Sequence, residues 1–139
     1  MKKLILILAA IGFITTAATT KMSLPTDKMV TEGRLSKENR NAFIEACNKC
    51  IKSCSACETV CLKDTKMPLC TQFCKECVNA CKTAAKVMGV NNENAKQECE
   101  KCIIACEKCA SECEMFATNS CKACAADCRT LIELCNKLK

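Results

Sequence analysis

The chain has 139 residues, a length that points to one domain of modest size, and its 21 Lys and Arg against 15 Asp and Glu give a formal charge of +6 with no His. Aromatic residues make up 3 %, with four Phe and neither Trp nor Tyr, so the 50 % apolar share leans on counting 18 Cys as hydrophobic. That composition argues against an ordinary oily core, and the scattered lysines without aromatic partners argue against nucleic-acid binding.

Lys2 and Lys3 form a basic start, Leu4 to Ile14 an apolar run, and Thr15 to Thr20 a stretch of small residues, which together read as a secretory signal. Cleavage is expected after Ala18, so residues 1–18 are read as a signal peptide and the product as exported, periplasmic or extracellular. An uncleaved membrane anchor is the alternative, but the run is shorter than the about 20 apolar residues of a spanning helix. No membrane association is expected after cleavage, and loss of Lys2 and Lys3 lowers the formal charge from +6 to +4. Residues 19–35 carry Pro25, Gly33 and no apolar periodicity, and read as an extended arm without a core.

From Ser36 the pattern turns helical, with Ser36 as N-cap and no Gly or Pro before Pro68. The first helix is predicted to run to about Lys63. Pro68 suits the first turn of a second helix, which ends near Met88 with Gly89 as its stop. A third helix is predicted from about Asn92 to Phe116, and a fourth, capped by Asn119 or Ser120, from there to the C-terminus. Four helices with short connections and no strand alternation predict an all-α fold, an antiparallel up-down-up-down four-helix bundle over residues 36–139.

The cysteines form one ladder per helix. Cys47, Cys50, Cys54, Cys57 and Cys61 lie on the first; Cys70, Cys74, Cys77 and Cys81 on the second; Cys99, Cys102, Cys106, Cys109 and Cys113 on the third. On the fourth stand Cys121, Cys124, Cys128 and Cys135, with Leu131 at the step that would complete the ladder. Alternating steps of three and four are the spacing of a coiled-coil seam, so each helix turns one cysteine stripe toward a common axis. The interior becomes a tube of thiols where leucines would ordinarily sit. Leu at a buried site outweighs a small side chain by roughly 2–5 kcal/mol, so such a seam needs compensation, and bound metal supplies it.

The absence of His excludes mixed imidazole sites, which leaves Cu(I), Zn(II) or an iron–sulfur cluster for a thiolate-only array. Iron–sulfur clusters draw on compact C-x-x-C-x-x-C runs that do not occur here. Zinc wants four converging sulfurs, whereas Cu(I) accepts two or three, so C-x-x-x-C steps such as Cys50/Cys54, Cys57/Cys61, Cys70/Cys74, Cys102/Cys106 and Cys124/Cys128 are candidate two-coordinate sites. One monovalent ion per thiolate leaves the buried tube near neutrality, which predicts a capacity approaching one Cu(I) per cysteine and proton release on loading. Zinc buffering and a disulfide-stapled helical structural protein remain as alternatives, although packed helices about 8–10 Å apart disfavour a full set of bridges. With no His as general base and an array in place of one activated nucleophile, no enzyme is expected.

These ladders, on four helices without His, resemble the copper storage protein family over Ser36 to Lys139. The resemblance implies multiple Cu(I) ions on inward cysteines, admission of metal at one end of the bundle, homo-oligomers of bundles, and methionine ligands near the open end. Copper-requiring enzymes or copper chaperones are the candidate protein partners of such a store. Met67, one step before Cys70, takes the methionine role, with core filler as its alternative. Lys2-Lys3 replaces the twin-arginine signal found on exported members, which implies translocation unfolded and loading afterwards. Cys61, Met67, Cys70, Cys113 and Cys121 gather at one end with Met115 and Phe116 nearby, while Phe43, Met88, Leu131 and Leu138 gather at the other. Metal is therefore expected to enter at the first end and to thin out toward an apolar plug at Leu131, with Cys135 the ligand the pattern supports least.

Overall fold

The computed structural model describes residues 35–138. The expectations for residues 1–18 and 19–34 lie outside the described residues, as does Lys139. Leu35, assigned above to a coreless arm, instead packs partly buried against the core, immediately before the first N-cap.

Four helices follow in order: α1 Lys37–Cys61, α2 Pro68–Gly89, α3 Ala95–Cys113 and α4 Asn119–Lys137. The Ser36 hydroxyl accepts from the Asn39 N–H at 3.2 Å, satisfying one of the donors that a helix start leaves unpaired. Pro68 begins α2, where its missing N–H is no loss. The cap of α4 is Thr118 rather than Asn119 or Ser120, its Oγ1 accepting from the Cys121 N–H at 3.1 Å.

Two predicted helices are too long. At the end of α1 the amides of Lys63 and Asp64 bond back three residues, to Val60 and Cys61, and so tighten into a turn. α3 starts at Ala95 rather than Asn92 because the chain takes a left-handed step at Asn91, φ 51°, a conformation that Asn tolerates. The Asn92 side chain then accepts from the Asn94 N–H at 2.9 Å and holds a turn. Beyond Cys113 the amides of Met115 and Phe116 again bond three residues back, which ends α3 before Phe116.

The helices close a ring in which α1 packs on α2 and α4, and α3 packs on the same two; among the described residues the diagonal pairs do not approach backbone to backbone. Sulfur contacts give the sense of each pair. Cys61 meets Cys70 and Cys50 meets Cys77, so α1 and α2 run antiparallel. Cys70 meets Cys113 and Cys81 meets Cys102 across α2 and α3, while Cys57 meets Cys121 and Cys50 meets Cys128 across α1 and α4.

Every cysteine is buried, and among the described residues no polar or charged side chain is. Phe43, Met88 and Leu131, each at most 1 % exposed, fill the end where α1 starts and α4 finishes, and Leu138 packs partly buried against the core. Charged residues lie outside. Lys49–Asp127 at 3.3 Å ties α1 to α4 and Arg129–Glu114 at 2.8 Å ties α4 to the end of α3, contacts worth little on a wet surface. Among the described residues no helix is long and apolar enough to cross a membrane.

Candidate metal centre

The periodic cysteines of four helices converge because each 3/4 stripe occupies one face of its helix and the ring turns all four faces inward. At the end near the α1–α2 turn, Cys61 and Cys70 lie 2.7 Å apart. Cys57 lies 3.7 Å from Cys61, 3.8 Å from Cys70, 3.7 Å from Cys113 and 3.5 Å from Cys121. One level down, Cys124 lies 3.2 Å from Cys54 and 3.5 Å from Cys109, and Cys109 lies 3.7 Å from Cys74. Next come Cys50 to Cys128 at 3.5 Å and Cys77 to Cys106 at 3.5 Å.

Contacts also run across the tube. Cys54 reaches Cys109 and Cys74 reaches Cys124, both at 3.9 Å, and Cys77 reaches Cys128 at 3.7 Å, so diagonal helices touch through sulfur although their backbones stay apart. The interior is therefore filled by sulfur.

Four-sulfur groups form with all members within 4.8 Å of one another: Cys57, Cys61, Cys70 and Cys121; Cys57, Cys70, Cys74 and Cys113; Cys54, Cys109, Cys124 and Cys128; Cys50, Cys54, Cys77 and Cys128; Cys50, Cys77, Cys81 and Cys106. The first two groups share Cys57 and Cys70, and the last three are linked through Cys54, Cys128, Cys50 and Cys77; between these two sets Cys74 touches Cys109 at 3.7 Å and Cys124 at 3.9 Å, so the array is continuous rather than a row of separate cages. Of the steps predicted to act along single helices, Cys50–Cys54 and Cys57–Cys61 are both 3.7 Å, while Cys70/Cys74 and Cys124/Cys128 fall within shared groups. Contacts between helices, invisible to a reading of one helix at a time, are as short as those along it.

The far end departs from a simple plug. Cys47 neighbours Cys102 and Cys81, and Cys135 neighbours Cys99, so the sulfur array continues past Leu131 along the α3–α4 side. Leu131, Phe43 and Met88 fill the remainder of the section. Cys99 is 8 % exposed while the other seventeen cysteines are at most 1 %, so the thiol nearest solvent stands at this end. Met67 is buried at 6 % exposure as N-cap of α2 and joins the core at the opposite end, where Phe116 is partly buried and Met115 exposed.

Burial is the leading cause holding the Cys61 and Cys70 thiols above the ordinary thiol range. Deeper in, the thiols alternate. Cys50 is pulled down chiefly by its neighbours Cys106 and Cys128, whereas Cys128 is pushed up chiefly by Cys106, and then by Cys109 and Cys124. One thiolate is thus stabilised only while its neighbours keep their protons. Among the described residues no charged side chain is buried beside them, so these thiols can all ionise only if positive ions enter the tube.

The sequence profile of the copper storage proteins, Csp, matches residues 36–139. The chain belongs to this copper storage protein family. Its fold is that of Cu(I)-bound copper storage protein BsCsp3, with a TM-score of 0.69 and 34 % identity over 72 % of this chain and 97 % of that one. Apo-Csp3 from Bacillus subtilis is similar at a TM-score of 0.67 and 35 % identity, over 70 % of this chain and 96 % of that one. The uncharacterized cysteine-rich protein YhjQ of Bacillus subtilis strain 168 is 35 % identical over 100 residues, 70 % of this chain and 93 % of its own length.

Proposed function

We propose that the chain sequesters multiple Cu(I) ions on the inward thiolates of its bundle, as a store rather than a catalyst. The observation that carries this reading is the continuity of the sulfur array: four-sulfur groups that share members or touch through Cys74 can hold many monovalent soft ions side by side, each cancelling the charge of the thiolate it binds. The ligands are the eighteen cysteines from Cys47 to Cys135, with Met67, buried three residues before Cys70, as a thioether ligand. A thioether carries no proton and no charge, so Met67 passes copper to the first thiolates without the proton release that the cysteines require.

Sulfur spacing alone accepts either metal, because four sulfurs about 2.3 Å from zinc stand about 3.8 Å apart. Membership of the copper storage family and the Cu(I) on a 34 % identical neighbour favour copper. The protein is exported and cleaved after Ala18, fills with copper after translocation, assembles as a homo-oligomer of bundles, and exchanges copper with chaperones or copper-requiring enzymes. Elemental analysis of protein isolated anaerobically from copper-supplemented cells tests the choice of metal. Copper far in excess of zinc, with sulfur to copper near parity, is expected; zinc as the main metal would replace this reading with zinc buffering.

A further inference from the structure

Among the sulfur contacts one pair stands apart. Cys61 and Cys70 lie 2.7 Å apart, against 3.2 Å for Cys124–Cys54 in the middle of the tube. Cys61 is the last residue of α1 and Cys70 the third of α2, nine positions on. The turn between them is held by the Met67 N–H on the Asp64 carbonyl, at 3.0 Å, and the Lys66 N–H on the Asp64 carboxylate, at 2.9 Å. α2 starts without a side-chain cap, since its N-cap is Met67. Opening one turn at the end of α1 and one at the start of α2 exposes this pair without moving α3 or α4, and end turns are the cheapest part of a helix to open.

We propose that Cys61 and Cys70 form a redox pair that closes this end of the empty store by a disulfide and that bound Cu(I) keeps reduced. The oxidant is a small-molecule disulfide of the glutathione class. The Cys70 thiolate attacks one of its sulfurs, forming a mixed disulfide and expelling the first thiolate. The Cys61 thiolate then attacks the Cys70 sulfur and expels the second. Two protein thiols are oxidised, one external disulfide is reduced to two thiols, and the two protons leave with the products. The link removes two thiolates from the group of Cys57, Cys61, Cys70 and Cys121 and fastens the α1–α2 turn over it. Protection by copper rests on the storage reading above; formation of the link in the apo protein does not.

The test exposes anaerobic, reduced apo protein to oxidised glutathione in steps, blocks the remaining thiols with N-ethylmaleimide and maps tryptic peptides. Lys63 and Lys66 lie between the two cysteines, so trypsin separates Cys61 from Cys70 unless a disulfide joins them. The Cys61–Cys70 peptide is expected as the first cross-link. A different first link, above all Cys99–Cys135 beside the more exposed thiol, or glutathione adducts without an internal link, overturns the proposal. Cu(I) at 100 times its dissociation constant should lower the cross-link roughly a hundredfold by mass action. An identical yield with and without copper, in protein that does form the link, contradicts the storage reading of these two thiols and leaves the apo pair standing. The Cys61→Ser variant should give a Cys70–glutathione adduct in place of the link, and a cross-link from Cys70 to another cysteine in that variant would show that the pairing is not specific.

Discussion

Replacing Leu131 by Cys completes the ladder of α4, and its effect separates packing from metal binding. Leu131 is 1 % exposed and lies one step past Cys128, which touches Cys50 at 3.5 Å, and one step before Cys135. The substitution removes about two methylene equivalents from the core, about 1.6 kcal/mol of transfer free energy, and the space left behind brings the loss to about 2–3 kcal/mol. In urea, with a slope of about 1–3 kcal/mol per molar for a domain of this size, the apo midpoint should fall by about 1 M. Copper capacity should rise by about one ion, since the new thiol stands between sulfurs already in the array, and saturation with Cu(I) should recover most of the lost stability. Urea unfolding of the apo and loaded forms, with anaerobic copper titration of both proteins, measures all three. A stable apo variant with unchanged capacity would refute the claim that Leu131 interrupts a continuous metal site.

Met67→Leu keeps the bulk of a buried side chain and removes its sulfur, so the fold should hold while copper uptake and release slow; unchanged kinetics would make Met67 core filler. The stability of the apo protein should fall with rising pH. Cys61 and Cys70 keep their protons above the ordinary thiol range, so the unfolded chain releases protons first, and stability present below about pH 8.5 is lost above it, by up to about 1.4 kcal/mol per thiol per pH step. Urea midpoints at pH 7.5 and 9.5 check the sign, and a midpoint that rose with pH would contradict burial as the dominant influence on these thiols.

The four ladders were legible because a spacing of three and four residues has one meaning on a helix, and Ser36 was legible as a cap because nothing beside it competed. Thr118 was not, since Thr118, Asn119 and Ser120 are all capable caps in a row and only the direction of the incoming chain selects among them. The ends of α1 and α3 were overextended because Lys63, Asn92 and Phe116 have acceptable helix propensity, while tight turns and the left-handed Asn91 decided the boundary. Contacts such as Cys124–Cys54, seventy residues apart, depend on the register of one helix against another, which loop geometry sets. The same holds for Cys99: its place in a ladder matches that of its neighbours, and its exposure follows from standing in the early turns of α3 at the rim of the bundle.

The central claim is that one continuous thiol array stores copper, and its most direct test is anaerobic titration of the reduced apo protein with Cu(I) against a strong Cu(I) chelator. Saturation approaching one ion for each of the eighteen cysteines, with protons released as copper binds, is the predicted result. Saturation at one or two ions would contradict it.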